Sequence, residues 1–192
     1  DSDMNLMYEK LLEFKEYSDE KYPYVILEQA ILDHTTNNGI FINSNGVKFE
    51  VTKGLYSFSP MFTAKDGENT SSFNYSGFTA KDIIKPLHMH GSIDRLLGES
   101  QNQTVTYPVK EKFEGEVIIT PDCLDDFISI ITSFISDMFL ITGRSIYKDK
   151  LNKKIASSKL TLHSKPLSDR IQDNYFITSD GYVAENSTII DK

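Results

Sequence analysis

The stretch Leu87 to Asp94 reads LHMHGSID, with two histidines one residue apart in a chain that has four. In a strand, side chains two residues apart share a face, so His88 and His90 could offer a metal ion two ligands at once. His34 and His163 are remote in sequence, and no Asp or Glu stands at a spacing that completes such a site. The segment therefore does not specify a metal centre, and no metal ligand is assigned. A second chemistry uses His90-Gly91-Ser92 as a unit. An imidazole at the end of a strand titrates near neutrality and can act as a general base, and the glycine lets backbone approach a ligand closely. The plainest alternative is one buried, hydrogen-bonded histidine beside one exposed histidine.

Two further segments bear on this choice. Ser72-Phe73-Asn74-Tyr75 lies upstream, with His90 sixteen positions after Asn74. Downstream runs Phe139-Leu140-Ile141-Thr142-Gly143-Arg144-Ser145-Ile146-Tyr147-Lys148-Asp149. In order and spacing these segments, from Ser72 to Leu151, resemble sirtuin-like proteins, and most of all the abortive-infection (AbiH-type) branch of bacterial antiviral defence. The resemblance implies an α/β fold with a Rossmann-like sheet that binds NAD and could hydrolyse it. It makes His90 the catalytic histidine and Asn74 the residue beside the nicotinamide ribose. Gly91 and Ser92, with Gly143 and Ser145 on the adenosine side, become the cofactor-binding positions. The implied reaction is cleavage of the nicotinamide–ribose bond, with His90 taking a proton from a ribose hydroxyl. Such proteins open with a glycine-rich phosphate loop; the counterpart here, Ile40 to Phe49, reads better as a hairpin turn.

The elements that would position these residues are mixed. Leu6, Met7, Leu11, Phe14 and Tyr17 recur at helical spacing over residues 4–18. Tyr24 to Leu32 can form a second helix ending at Asn37-Asn38-Gly39. Asn43 to Gly46 predicts a tight turn between Ile40-Phe41-Ile42 and Val47 to Val51, and Asp66-Gly67 predicts another between Met61–Ala64 and Ser72–Tyr75. Strands are expected at Leu87–His90, Thr104–Val109 and Glu116–Thr120, with a polar loop over Gly98–Gln103. Thr120-Pro121-Asp122 is a strong helix start. Behind it, Leu124, Phe127, Ile128, Ile131, Phe134 and Ile135 form one apolar stripe, which predicts a central helix buried on one side. Met138 to Thr142 fits either an extension of that helix or a short strand. Tyr175–Thr178 and Tyr182–Ala184 flank the turn Ser179-Asp180-Gly181.

At 192 residues with 39% hydrophobic content, the chain suits a single globular domain, residues 1–192. A formal net charge of −8 argues against a nucleic-acid groove, which needs clustered cations. The basic run Lys148 to Lys154 reads as a solvated helix end. Phe127 to Ile141 is too short and too polar to cross a bilayer. The lone Cys123, flanked by Asp122, Asp125 and Asp126, reads as an inert thiol and suits a reducing, cytoplasmic setting. The expected partner is a nucleotide ligand or another protein. The competing reading is an α+β fold with a mainly antiparallel sheet, serving as an acidic protein-interaction domain of immunity or viral type.

Overall fold

The computed structural model describes residues 2–191. Helix α1 spans Met4–Lys21, with the Asp3 carboxylate accepting hydrogen bonds from the Asn5 and Leu6 amides at its start. Such a cap satisfies amides that have no partner within the helix. Met7, Phe14 and Ser18 fall on one stripe and are buried. Two long strands follow, β1 (Val25–Ile42) and β2 (Lys48–Asp66), paired antiparallel from Val25↔Ala64 to Ile42↔Lys48 with one bulge between Leu27 and Gln29. Their turn is the predicted one. The Asn43 side chain accepts from the Asn45 and Val47 amides, and Gly46 adopts φ +83°.

At its Gly67 end β2 turns into β3 (Asn69–Thr70), and then pairs with β4 (Asn74–Tyr75) and β5 (Phe78–Ala80), all antiparallel. Tyr56, Phe58, Pro60, Phe62 and Ala64 are buried at every second position of β2, the period of a strand with one covered face. Phe14 meets Phe58 edge-on at 5.0 Å. Helix α2 (Ile93–Asn102) buries Ile93, Leu97 and Ser100, and both α1 and α2 pack on the hairpin. Every member of the buried core cluster lies between Met7 and Leu97.

Beyond α2 the chain changes character. Helix α3 (Pro121–Ile135) and helix α4 (Asp137–Ile141) pack against each other, and neither buries a residue. Strand β6 (Leu162–Ser164) pairs with β7 (Ser187–Ile190), and a single bridge joins Ile177 to Val183 around Gly181. Residues 172–184 cross the far half of the hairpin. There Phe176 packs edge-on against Phe49, while Lys53 donates to Asp173 and to the Asn174 carbonyl, each at 2.5 Å.

The architecture is α+β with a mainly antiparallel sheet, and the Rossmann-like expectation is corrected: every ladder among the described residues is antiparallel. Val25–Leu32, within the stretch expected to be helical, is strand, because a partner of matching length outweighs local helical spacing. Leu87–His90 is a 3₁₀ turn instead of a strand. Pro86 enters it at φ −52°, and its carbonyl accepts from the Met89 amide. The polar stretch Gly98–Gln103 belongs largely to α2, where Gly98 faces Tyr22 so closely that a Cβ would sit 3.3 Å from the ring. Thr104–Val109 and Glu116–Thr120 form no strand, and Lys148–Lys154 is a series of turns, not a helix end. The apolar stripe of α3 is helical as expected but not buried. Met138–Thr142 resolves as helix, broken from α3 at Ser136, whose φ and ψ are extended.

Candidate functional site at the junction of α1 and α2

The densest polar constellation gathers around Asp94, in the first turn of α2. Its Oδ1 accepts from the Tyr17 hydroxyl at 2.5 Å, the Tyr22 hydroxyl at 2.7 Å and Lys21 Nζ at 3.0 Å. Lys21 Nζ also lies 5.0 Å from the Tyr17 ring centroid and 5.3 Å from that of Tyr22, and donates to the Tyr17 hydroxyl. The last turn of α1 supplies Tyr17 and Lys21 at a spacing of four, which places both on one helix face. His88 stacks flat on Tyr17 with centroids 3.5 Å apart. Tyr17, His88, Met89, Gly91, Asp94 and Arg95 line a cleft of about 440 Å³.

The electrostatics follow from these contacts. Burial by itself would raise the Asp94 carboxyl pKa, but hydrogen bonds from Tyr17, Tyr22 and Lys21 outweigh it, and the pKa is lowered. Burial and the Asp94 bond raise the Tyr17 and Tyr22 hydroxyls. The bonds to Tyr17 and Asp94 hold Lys21 firmly protonated. Desolvation lowers His88, leaving a neutral ring whose Nδ1 is buried without a hydrogen-bond partner. Chemically this is an ionised carboxylate with its acceptors filled and an ammonium already seated against two aromatic faces. It clasps α1 to α2 more than it awaits a reactant. Arg95, beside it, pairs with Glu99 and with Asp122 at the start of α3, linking the two halves of the molecule.

The residues expected from sequence scatter. His90 stacks on Phe78 at 4.0 Å, with its Nε2 buried and unpartnered. His88 and His90 thus lie on different aromatic partners and do not converge as a strand would make them. Asn74 spends its amide on Gln103, in reciprocal bonds of 3.0 and 3.1 Å, and on the Ser72 carbonyl. Gly91 takes φ +56° in the turn before α2, and Ser92 flanks that helix without a side-chain cap. Gly143, at φ +72°, and Ser145 belong to a separate turn after α4. There the Ser145 amide bonds to the Phe139 carbonyl and its hydroxyl accepts from the Tyr147 amide. His90, Gly91 and Ser92 are contiguous before α2, and no hydrogen bond or ring contact among the described residues joins them to Asn74, Gly143 or Ser145. Sequence reasoning placed Tyr17 only on the apolar face of the first helix and missed its grouping with Lys21, Tyr22 and Asp94. The available signal was the Tyr-Lys pair at i, i+4 closing an amphipathic helix.

Comparison with known proteins points elsewhere. Residues 113–192 match the model of the PmbA/TldA metallopeptidase C-terminal domain. The chain is similar in fold to TldE from Thermococcus kodakarensis, with TM-score 0.83 and 16% identity over 100% of this chain and 43% of that one. It is also similar to a proposed modulator of DNA gyrase from Bacteroides thetaiotaomicron, with TM-score 0.71 and 21% identity over 96% of this chain and 42% of that one. The chain therefore spans less than half the length of these two structures. No curated protein matches the sequence. These findings overturn the sirtuin and AbiH-type resemblance, and with it the NAD-hydrolysing defence reading that it implied. The metallopeptidase description also invites a test of the donor set. Among the described residues no three His, Cys, Asp or Glu side chains group where they could hold a metal ion, so this part of the molecule does not fit one. No helix among the described residues is long and apolar enough to cross a membrane.

Proposed function

We propose that the chain is a section of a PmbA/TldA-type protein and that it contributes scaffold and contact surface, with no part in binding a metal. The observation that carries this reading is the family match over residues 113–192, together with the lack of a metal-donor cluster among the described residues. The likeness in fold to TldE across the whole chain supports it. In this reading the hairpin and its two helices form the anchored body. The matched half carries Phe113, Ile118, Phe127 and Ile141 exposed, apolar surface of the sort that protein contacts cover. Any peptidase chemistry of the longer assembly then depends on ligands outside these residues.

The test is metal retention. The purified 192-residue chain, incubated with excess zinc and desalted, is expected to keep far less than one equivalent by elemental analysis. It is also expected to leave a mixed peptide substrate uncut. Stoichiometric zinc, or cleavage abolished by a chelator, overturns the scaffold reading.

A further inference from the structure

Charge is distributed very unevenly along the chain. Residues 144–170 hold eight Lys or Arg against two Asp, a balance of +6 inside a protein of net charge −8, which leaves −14 for the remainder. All eight of these cations are exposed, and four of them line one cavity. Lys148, Lys150, Lys153 and Lys154 line a cavity of about 900 Å³, with Leu151 and apolar side chains of α3, α4 and β7 forming much of the rest of its wall and the Asp191 carboxylate also lining it. None of the four lysines is engaged in an ion pair among the described residues. Gly143 lies beside this wall, and a Cβ there would sit 3.5 Å from Lys148 Nζ.

From this we infer a binding site for an amphiphilic anion, a small molecule with a phosphate or carboxylate head and an apolar tail. Ammonium groups are compact donors suited to such heads. Four cations without an ion pair among the described residues line one cavity, and an anion bound there offsets their mutual repulsion. The apolar wall gives a tail somewhere to leave water. The volume lies in the range of small-molecule sites, roughly 300–1,000 Å³, which favours a compact ligand over an extended polymer. The inference is independent of the family assignment, since it uses only charge, cavity and lining.

Calorimetric titration of the 192-residue chain tests it, using octyl phosphate and octanoate below their micellar concentrations, with inorganic phosphate and octanol as the head and the tail alone. Saturable one-to-one binding of either amphiphile is expected, clearly tighter than that of either fragment. The K150Q/K154Q double variant should weaken it roughly tenfold, equivalent to about 1.4 kcal/mol. Salt near 1 M, where charges are screened beyond about 3 Å, should weaken it in the unaltered protein as well, a readout that needs no variant to fold. Octanol or inorganic phosphate binding as tightly as octyl phosphate overturns the proposal. So does an affinity indifferent to salt, or no binding at all.

Discussion

The two halves of this molecule contain comparable apolar periodicity and treat it in opposite ways. In the first, Phe14, Phe58, Phe62, Ile93 and Leu97 are almost wholly removed from water. In the second, α3 carries an equally regular stripe, yet Leu124 remains 45% and Phe127 51% exposed, and Ile128, Ile131, Phe134 and Ile135 are only half-buried. The difference is an opposing surface. The long hairpin presents one face along its length, and α1 and α2 cover it, so each buried ring has neighbours on every side. Among the described elements, the main neighbour of helix α3 is the five-residue α4. An amphipathic pattern states which face of a helix seeks cover; it does not supply the cover.

The sharpest way to break this comparison is a matched pair of truncations. Phe58→Ala should cost about 3–5 kcal/mol, the usual range for opening a cavity in a packed core. Phe127→Ala should stay within about 0.5 kcal/mol, as surface substitutions do. Urea denaturation followed by tyrosine fluorescence measures both, since the chain has ten tyrosines and no tryptophan. Equal losses for the two variants would mean that α3 is covered and the contrast is wrong.

The same contrast explains what could be read from sequence. Elements fixed by local chemistry were legible: α1 from its spacing, the turn at Asn43–Gly46, the turn at Asp66-Gly67, and the start of α3 at Thr120-Pro121. Elements fixed by partners were not. Val25–Leu32 has helical spacing and became strand because β2 lies beside it. Leu87–His90 looked like a strand, but Pro86 and a carbonyl three residues back from Met89 made it a turn. That one change separates His88 from His90, and a site built on their alternation fails with it. The Asp94 cluster was illegible for a related reason. Tyr17 and Lys21 stand more than seventy positions before Asp94, and only the packing of α1 on α2 joins them.

A smaller effect probes where the halves touch. Gly181 has φ +85°, and a Cβ there would lie 2.3 Å from the Phe41 ring. Gly181→Ala must both adopt a left-handed backbone and displace that ring, a cost of about 1–3 kcal/mol borne by the crossing segment. Because Phe41 sits at the far end of the hairpin, away from Phe14 and Phe58, the core should be spared. Limited proteolysis is expected to cut residues 172–184 faster while the denaturation midpoint moves little. A large midpoint shift would show that the two halves unfold as one unit.

The smallest expected effect belongs to pH, and it sharpens the comparison from inside the packed half. Desolvation lowers both His88 and His90, so each favours its neutral form in the folded state. Asp94 and Glu13 oppose this at His88, and Lys21 and Lys10 reinforce it, but burial dominates. A folded-state pKa below the unfolded one gives stability that is complete above the unfolded value, about 6.5, and is lost as pH falls through the folded value. Asp94 is also lowered, but its contribution holds until pH falls below about 4, so it does not shape the interval from pH 7 to 5. Stability measured across that interval should therefore decline with acidification. His88→Phe, which preserves a flat ring against Tyr17, should flatten part of the decline, and the double variant with His90→Phe more of it. An unchanged slope in the double variant would place the titrating groups elsewhere and remove the case for two neutral, half-buried imidazoles beside this core.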